Sequence, residues 1–310
     1  MNMKNSHRRI RNFVFINLAA FLFICNGAYS HQHKTHKPLT LFSNLEGYIP
    51  PEEVAPEMYF LIRNRRSPST AVAFQKRRGA IETGLIPNFI GGANCPEIDS
   101  EKWAIDYSHK RPFSAIHKGI DIPQPYGTPI YAVEDGTVIG KFLNENNSKG
   151  IEIMLRHTPS QTGLTYFIYS QYTQLSDFPD LQIGANVKMG EEVGKTSNTG
   201  KMGRNIRRDA LHFAILYSHF PEWTNTGRFS MPADGYWMDP NAFYRKKEPY
   251  ESKSIASLPD DDKYVLVPIM TGDKTFIPEN TQRISVSYTH IRAHETRHDL
   301  VCRLLLEKKK

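Results

Sequence analysis

Short apolar runs separated by Gly, Pro and Asn fill the chain from residue 103 to 248. The run GIEIMLRHT (150–158) alternates Ile and Leu at odd positions with Glu, Met and Arg at even positions, which is typical of a strand with two distinct faces. LTYFIYSQYTQL (164–175) and ALHFAILYS (210–218) are rich in aromatic and β-branched residues, and GTPIYAVEDGTVIGKFL (127–143) indicates two strands around a Glu-Asp-Gly turn. No long segment with the 3.6-residue period of a helix interrupts them. The pattern predicts a mainly β fold, as a small antiparallel sheet or sandwich.

The segments on either side lack this regularity. Residues 31–102 mix apolar pieces with Arg-, Gly- and Pro-containing stretches, which predicts an irregular N-terminal extension with a helix near 51–63 followed by loops. Residues 249–284 begin as a charged linker and continue into YVLVPIM, which predicts an extra strand in a C-terminal extension. One domain at 103–248 between two extensions is therefore expected.

The first thirty residues have the pattern of an export signal. Residues 1–30 begin with four basic residues and no acidic one, and the apolar run FVFINLAAFLFICNG (13–27) follows. Ala28 and Ser30 supply the small residues of a cleavage site. The apolar run is shorter than the about 20 residues of a membrane span. We expect export to the periplasm, the cell envelope or the exterior, with a membrane contact only where this signal stays uncleaved.

The last residues differ in composition from everything before them. Residues 285–310, SVSYTHIRAHETRHDLVCRLLLEKKK, resemble translated sequencing-adapter read-through. The alternative is a short basic helix around DLVCRLLLEKKK. We interpret the stretch as a non-native tail and set it aside.

Both ends change the meaning of the net charge. The whole chain carries a formal charge of +7, of which residues 1–30 supply +4 and residues 285–310 supply +3, so residues 31–284 are close to neutral. A neutral body does not favour nucleic acid as a partner. Of the three cysteines, Cys95 alone lies between the two ends, so no intramolecular disulfide is expected.

The stretch HKGID (117–121) is a candidate half of a metal site. Gly119 and the following prolines oppose a helix, and in an extended chain His117, Gly119 and Asp121 point the same way, with Gly119 leaving room between the other two. An imidazole with a carboxylate suits Zn²⁺, although such a pair also occurs by chance. Alternation along ALHFAIL places His212 on one strand face with Ala210, Ala214 and Leu216, where a lone histidine is usually structural.

Five motifs together resemble a known family. HKGIDIPQPYGTPIYAVEDGTV, IEIMLRH, IYSQYTQL, VKMGEEVGKTSNTG and LHFAI follow the order and spacing of the lysostaphin-type zinc metalloendopeptidases, which cut peptidoglycan peptides, over roughly 103–220. The resemblance implies an antiparallel β-fold with a groove and one zinc ion held by His117, Asp121 and His212. Water would take the fourth position, and zinc would lower its pKa toward ~7.

The chain departs from this family at two positions. The histidine of the family's Tyr-x-His-Leu motif is Gln171 here, and the first histidine of its His-x-His motif is Ala210. Those two histidines handle the proton and the oxyanion in the family. An amide cannot carry a proton near neutral pH, and one lost acid/base group typically costs about 10²–10⁴ in rate.

Other side chains are candidates to line the groove or to bind the oxyanion. Tyr169 and Tyr172 flank Gln171, and His157 ends a strand, where a structural role is the alternative. His109 and His219 lie near the first and the last ligand, although nothing in the spacing places either in the groove.

Two hypotheses follow. The first is an exported, zinc-binding, peptidoglycan endopeptidase-like protein with weakened catalysis. The second is a non-catalytic module that uses the same groove to bind peptidoglycan peptides or to regulate another cell-wall hydrolase.

Overall fold

The computed structural model describes residues 41–63, 69–89, 107, 116–144, 149–201 and 209–286. The predicted signal at 1–30, Cys95 and His109 lie outside these residues.

Most of the regular structure consists of short strands. The helices are α1 (Ser69–Arg77), α2 (Pro159–Thr162) and α3 (Ser252–Ala256), with 3-10 turns at Pro51–Glu53, Pro56–Phe60, Ala242–Tyr244 and Asp260–Asp262. The strands are β1 (Ile86–Phe89), β2 (Ile120–Pro123), β3 (Pro129–Tyr131), β4 (Gly136–Phe142), β5 (Ile151–His157), β6 (Phe167–Leu175), β7 (Asn186–Val187), β8 (Glu192–Lys195), β9 (Ala210–Ser218), β10 (Trp223–Asn225), β11 (Ser230–Pro232), β12 (Tyr236–Met238), β13 (Tyr264–Val267), β14 (Ile269–Met270) and β15 (Phe276–Ile277).

One antiparallel sheet organises the described chain. Its strands run in the order β12-β9-β6-β5-β4-β7, and β2 pairs with the first half of β9, next to the stretch that pairs with β12. The four runs with a strand pattern form strands where the pattern places them, and Glu134 and Asp135 lie between β3 and β4, directly before Gly136 at the start of β4. The prediction of a mainly β, antiparallel domain is confirmed.

The two faces of this sheet pack against different parts of the chain. Leu211, Phe213 and Ile215 of β9 lie on what we call the back face, in a buried cluster that also contains residues of the C-terminal extension such as Val265 and Val267. The alternation in the sequence predicts this face because successive side chains of a strand point to opposite sides.

The front face carries the alternate residues of β9 and is partly covered by the N-terminal extension. Ala214 and Leu216 pack in a second buried cluster with Met58, Leu61 and Phe74. The extension is also held by polar contacts, since the Trp237 indole donates to Leu61 O at 3.0 Å. The first part of the extension is therefore packed on the sheet from residue 41 onward.

Both extensions differ in detail from the sequence expectation. The helix predicted near 51–63 is two short 3-10 turns, and α1 forms in the stretch that was predicted as loop. Helix α1 is stabilised by burial of Ala71 and Phe74. The sequence around them is rich in Arg and Ser, so its pattern does not predict this burial. The extra strand predicted in YVLVPIM is confirmed as β13 and β14.

Two residues of the stretch set aside as a tail are described. Ser285 and Val286 are buried, and their backbones bond to Pro268 O and Tyr131 N, each at 2.8 Å. The remainder, 287–310, lies outside the described residues, and its non-native character stays a prediction.

A search for membrane-spanning helices among the described residues found none that is long and apolar enough.

Candidate metal centre

The three predicted ligands meet where β2 pairs with β9. His212 Nδ1 lies 2.8 Å from Asp121 Oδ1, His117 Nε2 lies 3.2 Å from the same oxygen, and the two ring nitrogens are 3.0 Å apart. His117 and Asp121 are buried, and His212 is half-buried. We call these three side chains the metal cluster.

Strand pairing produces this convergence. Asp121 and His212 are direct cross-strand partners, so their side chains leave the sheet on the same side. Gly119 allows the close approach, because a Cβ at this position would lie 2.4 Å from Phe213 O and 2.9 Å from His212 Cε1. The space left by the glycine is thus occupied by β9 and the His212 ring.

The donor set fits a zinc ion. Zinc is bound by imidazole nitrogen and carboxylate oxygen, and tetrahedral bonds of about 2.0–2.2 Å put the ligand atoms about 3.3–3.6 Å apart. The distances of 2.8, 3.0 and 3.2 Å within the metal cluster require each side of the triangle to open by less than about 1 Å. Three protein ligands leave a fourth position open, as in catalytic zinc sites.

Asp121 carries a negative charge between the two rings. Burial opposes its ionisation, but His117 and His212 outweigh burial by charge and by hydrogen bonding, and together they hold the pKa of Asp121 well below its usual value. A carboxylate that stays ionised is the form that binds a cation.

Gln171, for which the resemblance predicts a helper-histidine position, forms a hydrogen bond within the sheet. It is buried on the front face of β6, and its Nε2 donates to Glu152 Oε1 on β5. Gln171 pairs in register with Ala214, and the neighbouring front-face residue Thr173 pairs with His212. Position 171 is therefore diagonal to His212, on the side away from Asp121.

Ala210 begins β9 opposite Pro123 and is buried. It lies on the front face two residues before His212, as the alternation predicts. Its methyl group has no atom that could hold or move a proton.

The structure does not bring the remaining candidates to the metal cluster. Tyr169 lies on the front face but pairs with Leu216, four residues along β9 from His212, and burial raises its pKa well above the usual value. Tyr172 points to the back face, where its hydroxyl accepts from Val133 N at 3.1 Å.

His157 is a buried back-face residue. Its Nδ1 lies 2.7 Å from Asp135 O and its Nε2 lies 2.7 Å from Ser170 Oγ. Burial lowers the pKa of His157 to about 4, against the hydrogen bond to Asp135, so the ring is neutral near pH 7. His219 is exposed at the end of β9, against the rings of Tyr166 and Tyr217.

Glu152 is the residue near the site that the sequence did not single out. It is fully buried on the front face, and besides Gln171 it contacts Asn144 Nδ2 at 3.1 Å and Lys149 Nζ at 3.3 Å. The sequence signal was an acidic residue between the isoleucines of a strand-like run.

Two histidines and one aspartate thus converge on one side of an antiparallel sheet, and a set of three such side chains is the kind of donor set found in catalytic zinc sites. Residues 115–222 match the model of Peptidase family M23, and the chain carries a domain of this family. The resemblance to the lysostaphin-type peptidases is thereby confirmed.

Several curated proteins are similar to part of the chain. The chain is 31% identical over 100 residues to the peptidoglycan DD-endopeptidase ShyC of Vibrio cholerae, which covers 32% of this chain and 20% of that protein. It is 33% identical over 86 residues to the DD-carboxypeptidase/endopeptidase Mpg of Neisseria meningitidis, covering 28% of this chain and 17% of Mpg. The matched segment thus spans a fifth or less of these two relatives. The lipoprotein YgeR of Escherichia coli is 27% identical over 154 residues, covering 48% of this chain and 54% of YgeR.

Two solved structures are similar to part of the chain. LytU is 26% identical, with 47% of this chain and 82% of that chain covered and a TM-score of 0.33. The catalytic domain of lysostaphin from Staphylococcus simulans is 21% identical, with 39% and 80% covered and a TM-score of 0.30.

Proposed function

We propose that the chain is an exported protein that binds one zinc ion through His117, Asp121 and His212 and acts on peptidoglycan peptides as a weak endopeptidase. The observation that carries the proposal is the convergence of the three donor atoms to within 3.2 Å of one another in a peptidase-family domain. Export follows from the signal pattern of residues 1–30.

The substrate class follows from the relatives. ShyC is named as a peptidoglycan DD-endopeptidase, and Mpg as a DD-carboxypeptidase/endopeptidase. Residues 115–222, which match the peptidase family model, contain the metal cluster and the strands around it, and these are the parts that would hold a peptide and polarise its carbonyl group.

Each site residue has a limited role in such a reaction. Zinc, when bound, supplies a Lewis acid and lowers the pKa of water toward ~7. Asp121 contributes charge to the zinc site, while the two imidazoles contribute neutral nitrogen donors. Gln171 can hold a hydrogen bond but cannot take a proton, and Ala210 can do neither. Losing one acid/base group costs about 10²–10⁴ in rate, and the two losses need not multiply because such groups act as a unit.

Zinc content and fragment release test this function together. The purified full chain is expected to hold close to one zinc per molecule and to release soluble fragments from peptidoglycan slowly, and His117→Ala is expected to abolish both. His219→Ala is the matched control, since His219 is exposed and packs on tyrosine rings away from the metal cluster. Stoichiometric zinc without any fragment, under conditions in which lysostaphin releases them, rules out the endopeptidase.

A second candidate is a non-catalytic module that binds peptidoglycan peptides or regulates another cell-wall hydrolase. The observation in its favour is that Gln171 is tied to Glu152 and Ala210 leaves a methyl group where the family has a histidine. Under this function, the protein binds peptidoglycan in sedimentation assays without cleaving it. Gln171→His combined with Ala210→His is then expected to create hydrolysis, and absence of any gain with zinc bound contradicts a merely degenerate site.

A further inference from the structure

A fully buried carboxylate lies behind the position that replaces the helper histidine. Glu152 pairs in register with Thr173, Thr173 pairs with His212, and His212 pairs with Asp121. Residues paired across neighbouring strands present their side chains on the same face, so Glu152 belongs to the same front-face row as two members of the metal cluster.

The contacts of Glu152 determine which way the amide of Gln171 faces. One carboxylate oxygen accepts from Gln171 Nε2, and the other is 3.1 Å from Asn144 Nδ2 and 3.3 Å from Lys149 Nζ. An ionised carboxylate only accepts hydrogen bonds, so the amide nitrogen of Gln171 has to face Glu152 and its carbonyl oxygen has to face elsewhere.

The burial of the Glu152 carboxylate on the front face has an energetic cost that the fold alone does not explain. A buried charge is costly unless it is paired and hydrogen-bonded, and replacing a buried ion pair by apolar residues is often neutral or stabilising. Glu152 is 0% exposed, and the lysine that neutralises it has a side chain 17% exposed. The sheet alone would be served as well by an apolar residue in this position, whereas an apolar residue could not orient an amide.

We propose that Glu152 is a positioning residue that sets the orientation of the side chain at position 171 relative to the metal cluster. With glutamine at 171, Glu152 takes up the donor end of the amide and leaves the acceptor end facing away from Glu152. With an imidazole at 171, the same carboxylate would hold one ring nitrogen protonated and stabilise the charged ring. The meaning for catalysis rests on the proposed function, but the orientation itself does not.

The test introduces a histidine at position 171 and measures whether Glu152 changes the pKa of its imidazole. In the metal-free full chain, the ring nitrogens of Gln171→His are titrated by ¹⁵N NMR, alone and combined with Glu152→Gln. An opposite charge within hydrogen-bond reach raises the pKa of an imidazole by about 1–3 units, so the introduced ring is expected to lose its second proton about one pH unit or more higher with Glu152 than with Gln at 152. Equal pKa values in the two variants overturn the proposal.

A matched control uses Glu134, a second buried glutamate among the described residues. Glu134→Gln removes a carboxyl that accepts a hydrogen bond from Asp135 N just before β4, outside the front-face row. Combined with Gln171→His, it is expected to leave the pKa of the introduced ring unchanged. An equal shift from Glu134→Gln would show a general charge effect and would also overturn the proposal.

The proposal stays testable where Glu152→Gln does not fold. In Gln171→His alone, the neutral ring is expected to keep its proton on the nitrogen that faces Glu152, because the carboxylate cannot donate. Equal sharing of the proton between both nitrogens contradicts the proposal.

An activity arm separates this proposal from the proposed function. If Gln171→His with Ala210→His hydrolyses peptidoglycan, adding Glu152→Gln is expected to move the acid limb of the pH profile of kcat/KM to lower pH by the shift seen in NMR. An unmoved limb in an active variant contradicts the positioning role. Absence of hydrolysis counts against the proposed function, while the NMR result decides the role of Glu152.

Discussion

His212 and Asp121 face each other across β9 and β2, with His212 Nδ1 2.8 Å from Asp121 Oδ1. The two proposed ligands come from strands that are far apart in the sequence, so the metal cluster exists only where those strands pair. Integrity of the sheet and affinity for the metal are therefore coupled, because the ligands preorganise the ion site only in the folded state.

Asp121→Asn is expected to lower zinc affinity by roughly 100-fold or more, since it removes the one charged ligand and changes to partners of metal ligands already cost 10–100-fold. Competition with a chromogenic chelator measures the affinity. Asp135→Asn is the control, because Asp135 pairs with exposed Lys188 at 2.7 Å. Unchanged affinity in Asp121→Asn would exclude Asp121 as a ligand.

Gly119→Ala is expected to lower the free energy of unfolding by about 1–3 kcal/mol, the usual range for overpacking. The added methyl group would meet the backbone of Phe213 and the His212 ring, so zinc affinity is expected to fall with it. Urea unfolding with chelator competition checks both. Gly272→Ala is the control, because a Cβ there would meet nothing within 4 Å. Equal stability of the two variants would show that β2 and β9 can separate without loss.

His157 predicts a loss of stability in acid. Burial lowers its pKa to about 4 in the folded state from an ordinary value of 6.5, so between these values the unfolded chain binds the extra proton and folding becomes less favourable as pH falls. The full effect is about 3 kcal/mol and is absent above pH 7. His157→Gln is expected to flatten this part of the curve in urea titrations from pH 4 to pH 7. A curve of the same slope in the variant contradicts the assignment.

Glu134 changes the pH dependence of stability in the sense opposite to His157. Burial, with some help from the charge of Asp135, raises its pKa to about 7 from 4.5, against its bond to Asp135 N and the charges of Arg283 and Lys188. The folded state therefore keeps a proton that the unfolded chain has lost, and this contribution to stability falls as pH rises from 4.5 to 7.

Glu134→Gln is expected to gain about 1–2 kcal/mol relative to the parent protein at pH 8 and little at pH 4.5, a value set below the full conversion of the pKa shift. Thermal unfolding at the two pH values measures the difference. A gain that does not depend on pH would contradict a buried ionisable group at 134.

The strands and their faces could be predicted because a strand has a period of two residues. In β9, alternation alone assigned His212 to one face and Leu211 and Phe213 to the other, and packing follows that assignment. Asp121 needed one more step, since its pairing with His212 joins residues that no local pattern connects.

The contact between Gln171 and Glu152 could not be predicted in the same way. Alternation places Glu152 on the face of β5 that does not carry Ile151 and Ile153. A carboxylate on such a face is normally exposed to solvent. Its complete burial depends on the neighbouring strand β6 and on Lys149. Helix α1 was missed for a related reason, because tertiary packing of Phe74 overrides a weak local pattern.

The family match ends at residue 222, and the next residue, Trp223, is completely buried. Its indole donates to Glu46 O at 2.9 Å, and its ring packs at right angles to Phe42 and against Tyr48. The segment that matches the family is thus shorter than the segment that packs into one folded unit. A fragment limited to residues 115–222 would expose apolar side chains of its own sheet that the rest of the chain covers. The bounds of the family match are therefore the wrong guide for designing a truncated variant that folds.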